Sequence, residues 1–133
     1  MKVSTLYRIA AVLLVLFAAG HTLGFTQSDP AWKIDALLAS MRSIHFDAQG
    51  FRRTYWDFFL AAGLTTGVFY LFAAVLAWQF ARVQPPAATA WAFALAFAAV
   101  AIVSCMYLFV IPIVFSLAVT ICLSAAAWCK SAE

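Results

Sequence analysis

Charged side chains are scarce in this chain. Only 10% of its 133 residues are Asp, Glu, Lys or Arg, whereas 67% are hydrophobic. A soluble domain carries roughly 25% charged residues, so this chain has too little charge to cover a water-facing surface. The composition excludes an ordinary soluble domain and indicates that a lipid bilayer surrounds most of the protein.

Basic residues are too few and too dispersed for a nucleic-acid surface. The eight Lys and Arg residues give a net charge of +3. They are Lys2, Arg8, Lys33, Arg42, Arg52, Arg53, Arg82 and Lys130. Since they form no basic block or nucleic-acid motif, we expect no nucleic-acid partner and interpret them as headgroup anchors.

The chain also offers little for redox, haem or metal chemistry. Three cysteines are present, at Cys105, Cys122 and Cys129. No Cys-x-x-Cys spacing occurs, so we interpret them as packing residues. His21 and His45 could bracket a haem, and Asp47 or Asp57 could complete a metal site. His-x-x-x-His and Glu-x-x-His spacings are absent, so we predict no haem or metal, and the cofactor stays unknown.

Long hydrophobic runs, in contrast, are abundant. Four apolar segments each approach the ~20 residues that a helix needs to cross the bilayer core. They cover residues 7–25, 57–81, 87–105 and 110–129. Pro112 is expected in the first turn of the last helix, where proline is tolerated. We predict an all-α membrane protein, a bundle of four transmembrane helices in a single domain over residues 1–133.

The first segment has a second interpretation. Lys2 and Arg8 accompany a short apolar run, as in a signal peptide. Against cleavage, Leu16 or Phe17 stands where the Ala-x-Ala pattern requires a small residue. We therefore expect a helix that is retained.

Residues 26–54 form the one sizeable segment outside the predicted spans. Ser28 or Asp29 can cap a helix that has Pro30 in its first turn. Beyond this point, hydrophobic residues recur at helical spacing: Ile34, Leu37, Leu38, Met41 and Ile44. The spacing predicts a short amphipathic helix that lies on the bilayer or caps the bundle. Gly50 is expected to help the chain turn into the second span.

Interfacial residues suggest an orientation. With the amino terminus inside, the Trp and Tyr residues other than Tyr70 fall into two belts at headgroup level. The inner belt holds Tyr7, Trp78, Trp91 and Trp128, and the outer belt holds Trp32, Tyr55, Trp56 and Tyr107. Lys and Arg divide equally between the two sides, but each inner segment carries positive charge. We therefore place both termini on the cytoplasmic side of the cell (inner) membrane.

Ionisable side chains inside the predicted spans are candidate functional residues, because their burial in hydrocarbon is costly. His21 lies near the outer end of the first span, and Asp57 opens the second. Arg53 precedes Asp57 by four residues, a spacing that permits an ion pair on one helical face.

The stretch "RRTYWDFF", residues 52–59, has two interpretations. In one it anchors the start of a helix, with arginines at the phosphates and Asp57 at the positive end of the helix dipole. In the other, candidate ligand-binding residues converge on a polar-topped pocket, where Asp57 would orient His21 for proton exchange. These candidates are His21, His45, Arg53, Tyr55, Asp57 and Tyr70.

Gly63 and Gly67 have the G-x-x-x-G spacing of membrane helices that pack closely. A groove that faces a ligand is the alternative use of such small residues. We predict helix packing, which is their usual role in membranes.

At Gly20 to Thr22, Arg53 to Phe59 and Pro112 to Phe115, the chain resembles a family of small four-span bacterial membrane proteins of unassigned function. It is also similar, in size and span count alone, to DoxX-type membrane proteins. The resemblance implies four spans and a bacterial cell membrane. It implies no reaction and no catalytic residues.

Two classes of function remain open, together with a third role. The first is a membrane protein that binds a lipid- or quinone-like molecule in an outer-leaflet pocket lined by His21, Tyr55 and Asp57. The second is a small membrane enzyme that uses His21 and Asp57 as an acid–base pair on an apolar substrate. The third is a homo-oligomer or a subunit of a larger complex, since the last two spans are apolar all round.

Overall fold

The computed structural model describes the backbone of residues 2–131 and the side chains of residues 2–129, and helices dominate this part of the chain. Its α-helices are α1 (Val3–Gly24), α2 (Asp35–Ser43), α3 (Tyr55–Arg82), α4 (Ala87–Tyr107) and α5 (Val110–Ser131). Four of these helices, all but α2, are long and apolar enough to cross a membrane. The prediction of an all-α membrane protein with four spans is therefore confirmed, and each of the four helices is two or three residues longer than its predicted span.

The α4 and α5 helices form a tight antiparallel hairpin. Two residues connect them, because α4 ends at Tyr107 and α5 begins at Val110. Trp91 lies near the start of α4, and Trp128 lies near the end of α5. Their rings pack edge to face, with centroids 6.5 Å apart. Pro112 is the third residue of α5, which confirms its predicted place in the first turn.

Residues 2–17 and 70–131 form one packed unit with a core of small side chains. The buried alanines of this core are Ala10, Ala11, Ala73, Ala74, Ala77, Ala81, Ala90, Ala94, Ala126 and Ala127. Small residues let helix backbones approach closely, and such packing holds membrane helices together where lipid removes the hydrophobic drive. Tyr7 is buried in this core, with its ring edge to face against Phe80 at 5.7 Å. The side chain of Tyr7, predicted at the level of the inner headgroup belt, is thus covered by this core.

Residues 18–69 form the second unit, which contains a β-hairpin. Strands β1 (His45–Ala48) and β2 (Phe51–Thr54) are antiparallel, and Gln49 and Gly50 make the turn. Both turn residues have positive φ, 56° and 87°, as a type I′ turn requires. The sequence analysis expected a turn at Gly50 but did not predict the strands on either side of it.

The predicted amphipathic helix is present as α2, but it begins later than expected. Asp29 caps a single 3₁₀ turn, Pro30–Trp32, by accepting a 2.8 Å bond from the Ala31 N–H. Lys33 then adopts a left-handed conformation with φ of 53°, and α2 begins at Asp35 without a side-chain cap. The capping residue was identified correctly, but it serves a shorter element.

The turn at Gly50 provides a test of the hairpin. The change Gly50→Ala should lower the free energy of unfolding by about 1 kcal/mol, because a β-carbon is strained at positive φ. A Cβ at Gly50 would meet nothing within 4 Å, so the effect is one of backbone conformation. Thermal unfolding of the detergent-solubilised protein, followed by circular dichroism, measures it.

Gly20→Ala is the matched control, since Gly20 lies within α1 and its Cβ would also meet open space. Alanine is the better helix former, so this variant should unfold at the same temperature or higher. Equal losses from the two substitutions would contradict the assignment of the turn.

Candidate functional site

Asp57 completes a hydrogen-bonded cap at the start of α3. Its Oδ2 accepts bonds from the Thr54 N–H at 2.8 Å and from the Thr54 hydroxyl at 3.0 Å. The Asp57 N–H donates in return to Thr54 Oγ1 at 3.2 Å. Thr54 is thus the N-cap and Asp57 the third helical residue of a reciprocal capping box. The negative charge also lies at the positive end of the helix dipole, as the anchor interpretation expected.

Arg53 does not share a helical face with Asp57. It lies in β2, and α3 begins at Tyr55. The prediction that the two side chains pair on one face of a helix is therefore wrong. The guanidinium carbon of Arg53 lies 5.4 Å from the centroid of the Phe51 ring, at cation–π distance. The prediction failed because the cap at Thr54 starts the helix after Arg53.

His21 holds the end of α1 against α3. Its Nε2 lies 3.0 Å from the carbonyl oxygen of Gly63, and since a carbonyl only accepts, Nε2 is the protonated nitrogen. Its ring also stacks on Phe25, with centroids 5.3 Å apart and planes 15° apart. Gly63 follows Asp57 by six residues, about 9 Å along a helix axis. The structure therefore gives His21 and Asp57 separate partners at different levels of α3.

The two glycines of the G-x-x-x-G motif make room for side chains at the end of α1 and just beyond it. A Cβ at Gly63 would overlap the Phe25 ring, and a Cβ at Gly67 would lie 2.8 Å from Thr22 Oγ1. The predicted role in helix packing is confirmed. His21 belongs to the same contact, since it bonds the carbonyl of the first glycine.

His45 and Tyr70 take no part in this contact. His45 is exposed on β1, with Nδ1 2.9 Å from the Ser43 carbonyl oxygen. Tyr70 belongs to the other packed unit, where its ring lies 4.5 Å from that of Phe17. There it borders a cavity of about 10 Å³, which has room for about one water molecule. That cavity is too small for a lipid- or quinone-like molecule.

The hairpin displays aromatic rings that the sequence analysis did not assign to the site. The Phe46 ring lies 5.1 Å from that of Tyr55 and stacks on Phe58 at 5.8 Å. Phe51 lies on the same side of the sheet, because its partner Ala48 is two residues from Phe46. We call Phe46, Phe51, Tyr55 and Phe58 the aromatic face. Polar and apolar residues alternate along residues 45–48, directly before Gln49 and Gly50. This pattern was the sequence signal that could have predicted the hairpin.

A cation–π contact joins α2 to the start of α3. The guanidinium carbon of Arg42 lies 4.1 Å from the centroid of the Trp56 ring. Within the described part of the chain, no group of three or more His, Cys, Asp or Glu side chains is placed to hold a metal ion.

The capping box predicts a matched pair of stability effects. Thr54→Ala should lower the free energy of unfolding by about 1–2 kcal/mol, because it leaves the Asp57 N–H of the first turn of α3 without its partner. Thr65→Ala, an exposed threonine on the same helix, should change it by less than about 0.5 kcal/mol. The double variant Thr54→Ala/Asp57→Ala should lose less than the sum of the single changes, since both act on one network. Additive losses in thermal unfolding would contradict the reciprocal bonds.

The contact between Gly67 and Thr22 predicts that the effect of Gly67→Ala on stability changes sign when Thr22 is replaced. Gly67→Ala should destabilise the protein, because the new methyl group would press on Thr22 Oγ1. In a Thr22→Ala background the same change should be neutral or stabilising, since the oxygen is gone and alanine favours helix by about 1 kcal/mol. Comparison of the four thermal midpoints gives the coupling. A loss of the same size in both backgrounds would disprove the contact.

Comparisons with protein-family models, curated proteins and solved structures find no match to this chain. The resemblance to small four-span membrane proteins, at Gly20 to Thr22 and Arg53 to Phe59, therefore stays a prediction.

Proposed function

We propose that this protein is a multi-pass protein of a bacterial cell membrane that binds a lipophilic, lipid- or quinone-like molecule at the outer boundary of the bilayer. The observation that supports this proposal is the aromatic face. Three of its four rings, those of Phe51, Tyr55 and Phe58, are exposed although they lie beside the first turn of an apolar span.

The exposure of the aromatic face favours contact with another molecule. Tyr55 is 65% exposed, Phe51 61% and Phe58 51%. Contiguous exposed apolar surface of this kind is typical of binding sites or membrane contact. The strand β2 runs directly into α3, so the rings lie where a span leaves the hydrocarbon. Aromatic rings favour this level of the bilayer, because they are apolar with a polar tip or edge.

The proposed site is an open face rather than the pocket expected from the sequence. Of the residues assigned to that pocket, Tyr55 belongs to the face, and Arg53 borders it. Asp57 and His21 are used to cap α3 and to join α1 to it. An enzyme would need these two side chains to share a proton, so their separate partners favour binding over acid–base catalysis.

The proposed orientation places both termini on the cytoplasmic side of the cell (inner) membrane. Four spans bring the two termini to the same side. Lys2, Arg8 and Arg82 are exposed, as expected of basic residues that keep the ends of spans on the cytoplasmic side. The side chain of Lys130, the fourth residue expected there, lies outside the described part of the structure. The hairpin and α2 then face outward.

A second role, as a homo-oligomer or a subunit of a larger membrane complex, is favoured by the exposure of α3. Its outward side chains include Val68, Phe69, Phe72 and Val75, all more than half exposed. Lipid or another helix must cover them in a membrane. Native mass spectrometry in detergent reports bound lipophilic molecules and oligomeric state in one measurement.

Replacement of the aromatic face should remove ligand binding. The double variant Phe51→Ala/Tyr55→Ala should retain about tenfold less co-purified lipid or quinone in native mass spectra, because it loses the two most exposed rings of the face. Added decylubiquinone and phosphatidylcholine serve as defined probes. Phe69→Ala/Phe72→Ala is the matched control, since these rings are as exposed but lie farther along α3.

The control should bind both probes like the unmodified protein. Equal losses from the two double variants would show general lipid solvation of the spans rather than a site. Failure of the unmodified protein to retain either probe would overturn the proposed function.

A further inference from the structure

The β-hairpin separates two arginines that are adjacent in sequence. In the antiparallel register Arg53 pairs with Phe46, and Arg52 pairs with Asp47. Directly paired residues share one side of a sheet, and consecutive residues alternate between sides. Arg53 therefore lies on the side of the aromatic face, and Arg52 lies on the opposite side. The 5.4 Å distance from the Arg53 guanidinium to the Phe51 ring agrees with this division.

The two arginines also differ in what faces them across the sheet. Arg52 faces Asp47, whose Oδ1 accepts a 2.9 Å bond from the Gly50 N–H, whereas Arg53 faces the ring of Phe46. Asp57 lies within electrostatic range of Arg53, and its Oδ2 accepts two hydrogen bonds from Thr54. Arg53 thus presents a guanidinium, exposed and bordered by rings, with donors available for an external anion.

The position of Arg53 along the chain matches the level of lipid phosphates. Only Thr54 separates it from α3, which begins at Tyr55 and is apolar enough to cross a membrane. Residues just before a span lie among the headgroups. A guanidinium binds phosphate with two parallel N–H bonds, and a nearby ring reduces competition from water. The aromatic face lies on the same side, where the glycerol and upper acyl chains of such a lipid would lie.

We propose that Arg53, and not Arg52, binds the phosphate of an anionic phospholipid whose apolar part contacts the aromatic face. This inference rests on the proposed function and adds to it the headgroup chemistry of the ligand. A phosphate that carries net negative charge complements the guanidinium. A zwitterionic headgroup brings its own cation to compete, and a quinone brings no anion.

Matched substitutions of the two arginines test the inference. Detergent-solubilised protein is titrated with phosphatidylglycerol or phosphatidylcholine, and bound lipid is counted by native mass spectrometry. The unmodified protein should prefer phosphatidylglycerol severalfold. Arg53→Gln should bind phosphatidylglycerol about tenfold more weakly, the loss expected for charge-assisted hydrogen bonds. Arg52→Gln should stay within about twofold of the unmodified protein.

Two further variants keep the outcome decisive. Arg53→Lys preserves the charge but not the bidentate geometry of the guanidinium. Its affinity for phosphatidylglycerol should therefore fall between those of the unmodified protein and Arg53→Gln. If Arg53→Gln unfolds at a lower temperature than Arg52→Gln, the lysine variant supplies the comparison. Glycerol 3-phosphate in excess should not displace the lipid, because it lacks the acyl chains that the aromatic face contacts.

Each contrary result has a distinct meaning. Equal weakening by Arg52→Gln and Arg53→Gln would overturn the inference, since the division of the two arginines would have no effect. Undiminished phosphatidylglycerol binding by Arg53→Gln would also overturn it, while leaving the proposed function intact if Phe51→Ala/Tyr55→Ala still loses lipid. Displacement by glycerol 3-phosphate would assign the site to soluble phosphates instead.

Discussion

The hydrogen bonding of the backbone in a solvent without water governs this structure. Hydrocarbon offers no partners to N–H and C=O groups, so each span must satisfy its own as a helix. The ends of the helices are where this fails, and there side chains complete the bonding. Asp57 and Thr54 do so at the start of α3. At the end of α4, the backbone itself does so through Leu108.

The same requirement explains why the polar residues in and near the spans are not gathered into one pocket. A carboxylate is tolerated at Asp57 because it accepts two donors of its own helix start. An imidazole is tolerated at His21 because it donates to the carbonyl of Gly63. Asp57 and His21 thus each bond backbone groups close to them. The surface left for recognition consists of rings and a guanidinium, which interact favourably at the boundary between lipid and water.

Much of this architecture is readable from the sequence. Span length, the packing of Gly63 and Gly67 and the place of Pro112 follow from local rules that lipid enforces strongly. The hairpin was missed because its strands have four residues each, too few for alternation to stand out from a loop. A shared helical face for Arg53 and Asp57 was mispredicted because one residue, Thr54, decides where the helix begins. The exact start of a helix depends on a few hydrogen bonds rather than on average hydrophobicity.

Thr54 is both the last residue of β2 and the cap of α3, so no linker separates the sheet from the first turn of the span. Three hydrogen bonds cross this junction, and the Phe46 ring bridges it by packing on Tyr55 and Phe58. The hairpin therefore follows directly into the first turn of α3, and the aromatic face is built partly from the sheet, by Phe46 and Phe51, and partly from the helix, by Tyr55 and Phe58.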